Sequence, residues 1–403
     1  MSRVIASIPV VRTGSLSRGT ALLFAVACGV AVGNVYLPQP LLGLMAADPR
    51  VAAGGGGLIA TSAQLGYAVG IVFLVPLGDL AGPRRLVTTL LSATAACMAA
   101  GAVAPTAPLL ALATLLAGVF AVVPQILLPL ASHLAHPRQA GRVVAMLVTG
   151  LMGGIFGSRL LGSLIAQLAG WRAAYATAAV LVAITAVLLR PALTARPIGS
   201  PMPYPRLLAG LPGLFRRQPV LRQACLLQLC VFLAFSATWT VLALYLTGPR
   251  FGWSTGAAGL FGAAGLAAAL LTPVAGRRID RHGPVAVTAA ALLISGAAVV
   301  ILTGAGTTVA GLAVGVLALT AGMQSGQVCH QNRIFADRPD ARSRVNTLCM
   351  ASAFVGGSVG SAAGTAVYAA HGWLGVCVLD AIAVTVALVA FLPVVRREGG
   401  HAE

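Results

Sequence analysis

Apolar stretches of twenty or more residues follow one another along the chain, separated by short breaks rich in glycine, proline and arginine. A helix of about 20 mainly apolar residues crosses the ~30 Å hydrocarbon layer of a bilayer. The pattern predicts twelve such helices, named here spans 1 to 12, over 19–45, 57–79, 84–104, 107–134, 141–168, 172–190, 220–247, 256–278, 284–305, 307–334, 343–370 and 373–394. Arg3, Arg12 and Arg18 precede the first run, as they would in a secretory leader. That run is far longer than the roughly 7–15 residue core of a leader, so it reads as span 1.

Composition turns this pattern into a class. Of 403 residues, 58% are hydrophobic and 8% charged, with a mean hydropathy of +0.94, which places the chain among all-α integral membrane proteins. All 26 basic residues are arginine. Most fall on one side of the twelve-span map, with Arg50, Arg172 and Arg250 opposite and Arg159 alone inside a span. The positive-inside rule then makes both termini cytoplasmic. The predicted organisation is a cytoplasmic N-terminus 1–18, a six-helix half 19–190, a cytoplasmic linker 191–219 with seven prolines from Arg190 to Pro219, a second half 220–394 and a tail 395–403. A net charge of +18 reflects this topology and anionic lipid headgroups rather than nucleic acid. Without lysine the chain has no P-loop and is not itself an ATPase of that type. It also lacks paired carboxylates, HExxH and Cys/His metal spacing, so neither an enzyme nor a cofactor is expected. The seven cysteines lie inside spans, where they serve as small apolar residues.

Residues 1–200 and 201–403 repeat each other. Asp79 and Gly82 recur as Asp280 and Gly283; Gln125, Arg142, Gly154, Gly162 and Gly170-Trp171 recur as Gln327, Arg344, Gly356, Gly364 and Gly372-Trp373. Six spans per copy give the copies the same orientation, one of the two common transporter designs. Two such halves, with a GxxxDRxGR[RK]-like loop after spans 2 and 8, resemble the major facilitator superfamily over essentially the whole chain. Gly276, Asp280, Arg281 and Gly283 match in the second loop, while the first keeps Asp79, Gly82 and Arg84 and has Val75, Leu80 and Pro83 elsewhere in the pattern. The resemblance implies that Asp79 meets Arg344 and Asp280 meets Arg142 as cytoplasmic latches, an acid against a basic helix start. The plainer alternative is local loop hydrogen bonding.

The resemblance also implies that spans 1, 4, 7 and 10 line a cavity flanked by 2, 5, 8 and 11. Polar candidates for substrate contact are Asn34, Tyr36 and Gln39, Gln64 and Tyr67, Gln125, Arg159, Gln228 and Trp239, and Gln324, Gln327, His330 and Gln331. Each amide is equally readable as interhelical glue. Gly141, Gly150 and Gly154 approximate the antiporter signature of drug exporters, but Ile155, Ser158 and Arg159 stand where it would finish. Gly150, Gly153, Gly154 and Gly157 are expected to allow close helix approach. His330 and Asp380 are candidates for proton coupling. The expected function is a monomeric inner-membrane exporter of a small organic molecule, proton-coupled, in a bacterial branch close to the drug:proton antiporters. A solute uptake carrier and a non-transporting sensor are the alternatives.

Overall fold

The computed structural model describes residues 17–51, 55–136, 139–193, 203–269, 272–337 and 341–399, and all regular structure among them is helical. Span 1 is α1 (Arg18–Tyr36) followed by α2 (Pro38–Ala47), span 2 is α3 (Gly55–Phe73), and span 3 is α4 (Pro83–Ala102). Span 4 is α5 (Ala107–Phe120) with α6 (Val123–Leu134). Spans 5 and 6 form one run, α7 (Ala140–Leu189), which reverses at Gly170. In the second half, span 7 is α9 (Pro219–Thr247), span 8 begins as α10 (Thr255–Gly259) and α11 (Phe261–Ala269), and α12 (Thr272–Gly304) carries its end and span 9 across Gly283. Span 10 is α13 (Val309–Asp337), and α14 (Arg342–Gly399) holds spans 11 and 12 on either side of Gly372. Gly170 and Gly372 have φ of 83° and 64°, in the left-handed region, so each reverses the chain without a loop. That backbone need explains the repeated Gly-Trp pairs.

The same contact builds both halves. Gly154 and Gly150 of span 5 press on the backbone of Gly29 and Ala25 in span 1; Gly356 and Gly360 of span 11 press on Leu229 and Leu233 in span 7. Backbone approaches this close leave no room for a Cβ. Gly153 and Gly157, expected to serve the same packing, have nothing within 4 Å of where a Cβ would stand and face an open groove instead.

The linker departs from expectation. Its prolines suggest an aperiodic segment, yet Tyr204–Arg217 is a helix, α8, with Leu211 buried and Arg216 and Arg217 at its end. Pro205 occupies the first turn, where its missing N–H is harmless. Tyr204 donates to the Phe73 carbonyl at 2.8 Å, and Leu214 packs on the cluster around Leu221, so α8 bridges the two halves at the arginine-rich end.

At the opposite end, Asp48 caps α2 and accepts from the Arg172 guanidinium, from Trp171 Nε1 at 3.2 Å and from the Arg50 amide at 3.0 Å. The Arg172 bond, aided by the Arg50 amide, holds the Asp48 carboxyl below its ordinary 3.8. A depressed carboxyl stabilises the fold above about pH 4 and loses that contribution as pH falls through the lowered value. Acidification below pH 4 is therefore expected to change Trp171 fluorescence in the wild type, and Asp48→Asn should remove that step. An identical acid transition in the variant would refute the assignment.

Candidate functional site

Seven spans enclose a cavity of about 180 Å³ between the halves. Tyr36, Tyr67, Gln125 and Phe156 line it from the first half; Phe232, Phe235, Gln324, Gln327, Gln331 and Phe354 line it from the second. Met152, Met323 and Met350 fill gaps between the rings. Tyr67 and Phe354 approach to 4.3 Å between centroids across the two halves. Among the described residues, the lining holds no arginine, histidine or carboxylate. It offers aromatic faces and four amides, of which Gln125 reaches the Tyr67 hydroxyl at 3.4 Å and Gln331 reaches Asn346 Oδ1 at 3.2 Å.

Six of the predicted contacts, Tyr36, Tyr67, Gln125, Gln324, Gln327 and Gln331, thus share one surface. The rest turn away from it. Asn34 donates back to the Val30 carbonyl of its own helix at 2.7 Å. Gln64 donates across the halves to Ser236 at 2.7 Å. Gln228 and His330 are 1% exposed; Gln228 Nε2 and His330 Nδ1 have no hydrogen-bond partner among the described residues. The phenylalanines and methionines of the lining, absent from the sequence expectations, have one legible trace: Phe232 and Phe235 lie three apart on a span expected to line a cavity.

Arg159 lies beyond the cavity wall, 3% exposed, toward the end away from the arginines. Its Nη2 donates to Gln39 Oε1 at 2.7 Å and its Nη1 to the Ile155 carbonyl at 3.3 Å. Four rings surround the guanidinium: Trp239 at 4.4 Å, Tyr36 at 4.8 Å, Phe156 at 5.3 Å and Phe235 at 5.9 Å. Two of these rings belong to the other half, so Arg159 sits on the seam. Trp239 is held in turn by Nε1 donating to Thr320 at 3.2 Å. At the corresponding level of the second half, Ser361 meets Thr240 of span 7 at 2.9 Å. Each half therefore ties its fifth span to its first through a polar pair, and of the two only Arg159–Gln39 carries a charge.

Beyond Arg159 the halves close. Gln167 Oε1 accepts from the Gly256 amide at 2.7 Å, Gly259 lies against Ser163, and Gly43 faces Thr247. Toward the arginine-rich end, Gln125, Leu128, Val148 and Gln331 are partly exposed. The more exposed side chains of the cavity thus lie toward that end, and the halves close at the other. Of the expected latches, the side chains of Asp79 and Asp280 lie outside the described residues. Arg344 Nη1 stands near Gly210 of α8, and Arg142, Arg84 and Arg281 are exposed. Gly283 has φ of 78°, whereas Gly82 caps α4 in an extended conformation, so the two motif glycines do different work.

Asp380 of span 12 is 1% exposed and accepts from Thr238 of span 7 at 2.5 Å; its second oxygen has no partner among the described residues.

The sequence pattern of the Major Facilitator Superfamily matches residues 22–339 and again 224–402. The uncharacterized transporter YgaY of Escherichia coli O157:H7 is 37% identical over 377 residues, covering 94% of this chain and 95% of that one. The probable transporter SCO4007 of Streptomyces coelicolor is 37% identical over 369 residues, covering 91% and 85%. Among solved structures, a crystal structure of a mutant of the nucleoside transporter NupG superposes with a TM-score of 0.70 at 14% identity, covering 93% of this chain and 98% of that one. At that identity the likeness is one of fold.

Proposed function

Because this chain belongs to the major facilitator superfamily, we propose that it exports a small, uncharged organic molecule with an aromatic portion across the inner membrane by alternating access, driven by protons. The cavity carries this reading: it lies between the halves, is sealed at one end, and presents rings and amides without a charge. A net charge placed there loses hydration and meets no counter-charge, whereas an amide or ring nitrogen finds Gln125, Gln324, Gln327 and Gln331. Entry from the arginine-rich end, which the positive-inside rule makes cytoplasmic, suits export. Asp79 with Arg344 and Asp280 with Arg142 would close that end in the opposite state, shaped by Gly82, Arg84, Arg281 and Gly283.

Asp380 is the proton site in this scheme rather than His330. Its partner Thr238 is the residue before Trp239, which faces Arg159, so a change at the carboxyl can reach the seam. Uptake is the second reading, favoured by the same rings and amides, which would also hold a nucleobase-like solute.

Proteoliposome flux with and without a pH gradient tests both, using matched anionic, neutral and cationic heteroaromatic compounds. The neutral compound is expected to move at least about tenfold faster, equivalent to ~1.4 kcal/mol, and against the proton flow. Asp380→Asn should abolish gradient-driven flux while leaving solute exchange intact. Preference for the anion, or a gradient response unchanged in the variant, would overturn the proposed substrate class or the proton site respectively; accumulation with the proton flow would establish uptake.

A further inference from the structure

A second concavity lies outside the proposed transport path, on the outer surface of the first half at its arginine-rich end. Spans 3 and 6 part there to leave a depression of about 810 Å³. Its rim is cationic and hydroxylic: Arg84, Arg85 and Arg190, with Thr88, Thr89 and Ser92. Its floor is small and apolar, with Ala93, Ala183, Ala186 and Val187. Arg84 Nε donates to the Arg190 carbonyl at 2.9 Å, which fixes the two helix ends relative to each other and leaves the Arg85 and Arg190 guanidinium groups at the edge. The ion pair found among the described residues is Asp48–Arg172, at the other end of the molecule, so no described carboxylate neutralises this rim.

From Arg85 to Ser92 is seven residues, about 10 Å of helix. The polar stripe Arg85, Thr89, Ser92 keeps helical spacing and descends that far along a face where Leu188 and Val187 are exposed as lipid-facing residues are. Structural packing does not call for hydroxyls on such a face. A ligand with an anionic head, ester oxygens one turn deeper and an alkyl chain below would use all three levels of the groove.

We propose that this groove binds the headgroup and first chain segment of an anionic phospholipid. The phosphate sits between Arg85 and Arg190, Thr89 and Ser92 donate to the glycerol ester oxygens, and one acyl chain lies in the alanine-lined floor between spans 3 and 6. The apolar floor directly beneath the cationic rim is what distinguishes a lipid from a free phosphate ion.

The test uses delipidated full-length protein in detergent and native mass spectrometry with three probes: phosphatidylglycerol, phosphatidylcholine and inorganic phosphate. Each arginine near a membrane surface is worth about a five-fold factor in affinity for an anionic headgroup. Arg85→Gln with Arg190→Gln is therefore expected to weaken phosphatidylglycerol retention about thirty-fold, while phosphatidylcholine is held weakly by both proteins. The same charge removed from α8, as Arg206→Gln with Arg216→Gln, should leave retention within about three-fold of wild type. Ala183→Leu keeps every charge, fills the floor and should weaken phosphatidylglycerol binding by itself, so the result does not depend on the arginine variant folding. Equal loss in the α8 control would show diffuse electrostatics and overturn the proposal. So would equal retention of phosphatidylcholine, inorganic phosphate that competes fully at equal concentration, or unchanged retention in Ala183→Leu.

Discussion

Gly154→Leu is expected to eliminate transport and most folded protein, whereas Gly153→Leu, one residue away, is expected to leave both near wild type. A side chain at Gly154 meets the backbone of Gly29, which has no rotamer to change, so span 5 must move bodily off span 1. Overpacking of this kind costs about 1–3 kcal/mol even where side chains can yield, and here the obstacle is backbone, with Gly150 pressed on Ala25 one turn away in the same way. Gly153 has nothing within 4 Å and lines a groove where leucine meets lipid. Thermal unfolding in detergent, read by size-exclusion recovery after heating, separates the two. Similar losses at both positions would mean that the glycines supply helix flexibility rather than close approach.

That pair of adjacent glycines also marks where sequence reading stops. The twelve spans are legible because hydropathy over twenty residues is a strong signal, and the internal repeat singles out Gly170 and Gly372, two glycines whose positive φ reverses the chain. Rotation about a helix axis was not legible. Spans 1, 2, 7 and 10 are apolar over most of their surface, so no polar face says whether Asn34, Gln64, Gln228 or His330 points inward; Asn34 bonds back to its own helix, Gln64 crosses to Ser236, and Gln228 and His330 are buried off the cavity. Phe156, Phe232 and Phe354 carry the same hydropathy in a cavity wall as against lipid. The helix α8 was hidden by its own prolines, because Pro203 and Pro205 fall just before and within its first turn, where they do no harm.

Arg159→Met is expected to make the protein more stable to heat and at least about tenfold slower in transport. In the present state the guanidinium is buried without a carboxylate, and dehydrating such an ion costs several kcal/mol. Against this stand a charge-assisted bond to Gln39, worth roughly 1.5–3 kcal/mol, and contacts with Trp239 and Phe235 of the other half, each up to about 2 kcal/mol when desolvated. The opposing terms nearly cancel, and on that balance the expected role of Arg159 is to keep the sealed end able to open. Methionine fills similar volume, removes the dehydration cost and leaves the sealed state without a competitor. Replacing buried ionic groups by apolar ones often stabilises by about 1–4 kcal/mol, and spin labels placed beyond Gln167 and Gly256 should report only the short distance. Arg159→Lys keeps the charge but loses the flat face that stacks on Trp239 and the fork that reaches Gln39, so it should unfold earlier than wild type. If the methionine variant unfolds earlier with an unchanged distance distribution, Arg159 is a scaffold clamp like the Thr240–Ser361 pair. If instead both distances persist and only binding of anionic compounds is lost, Arg159 recognises substrate and the uncharged class proposed here is wrong.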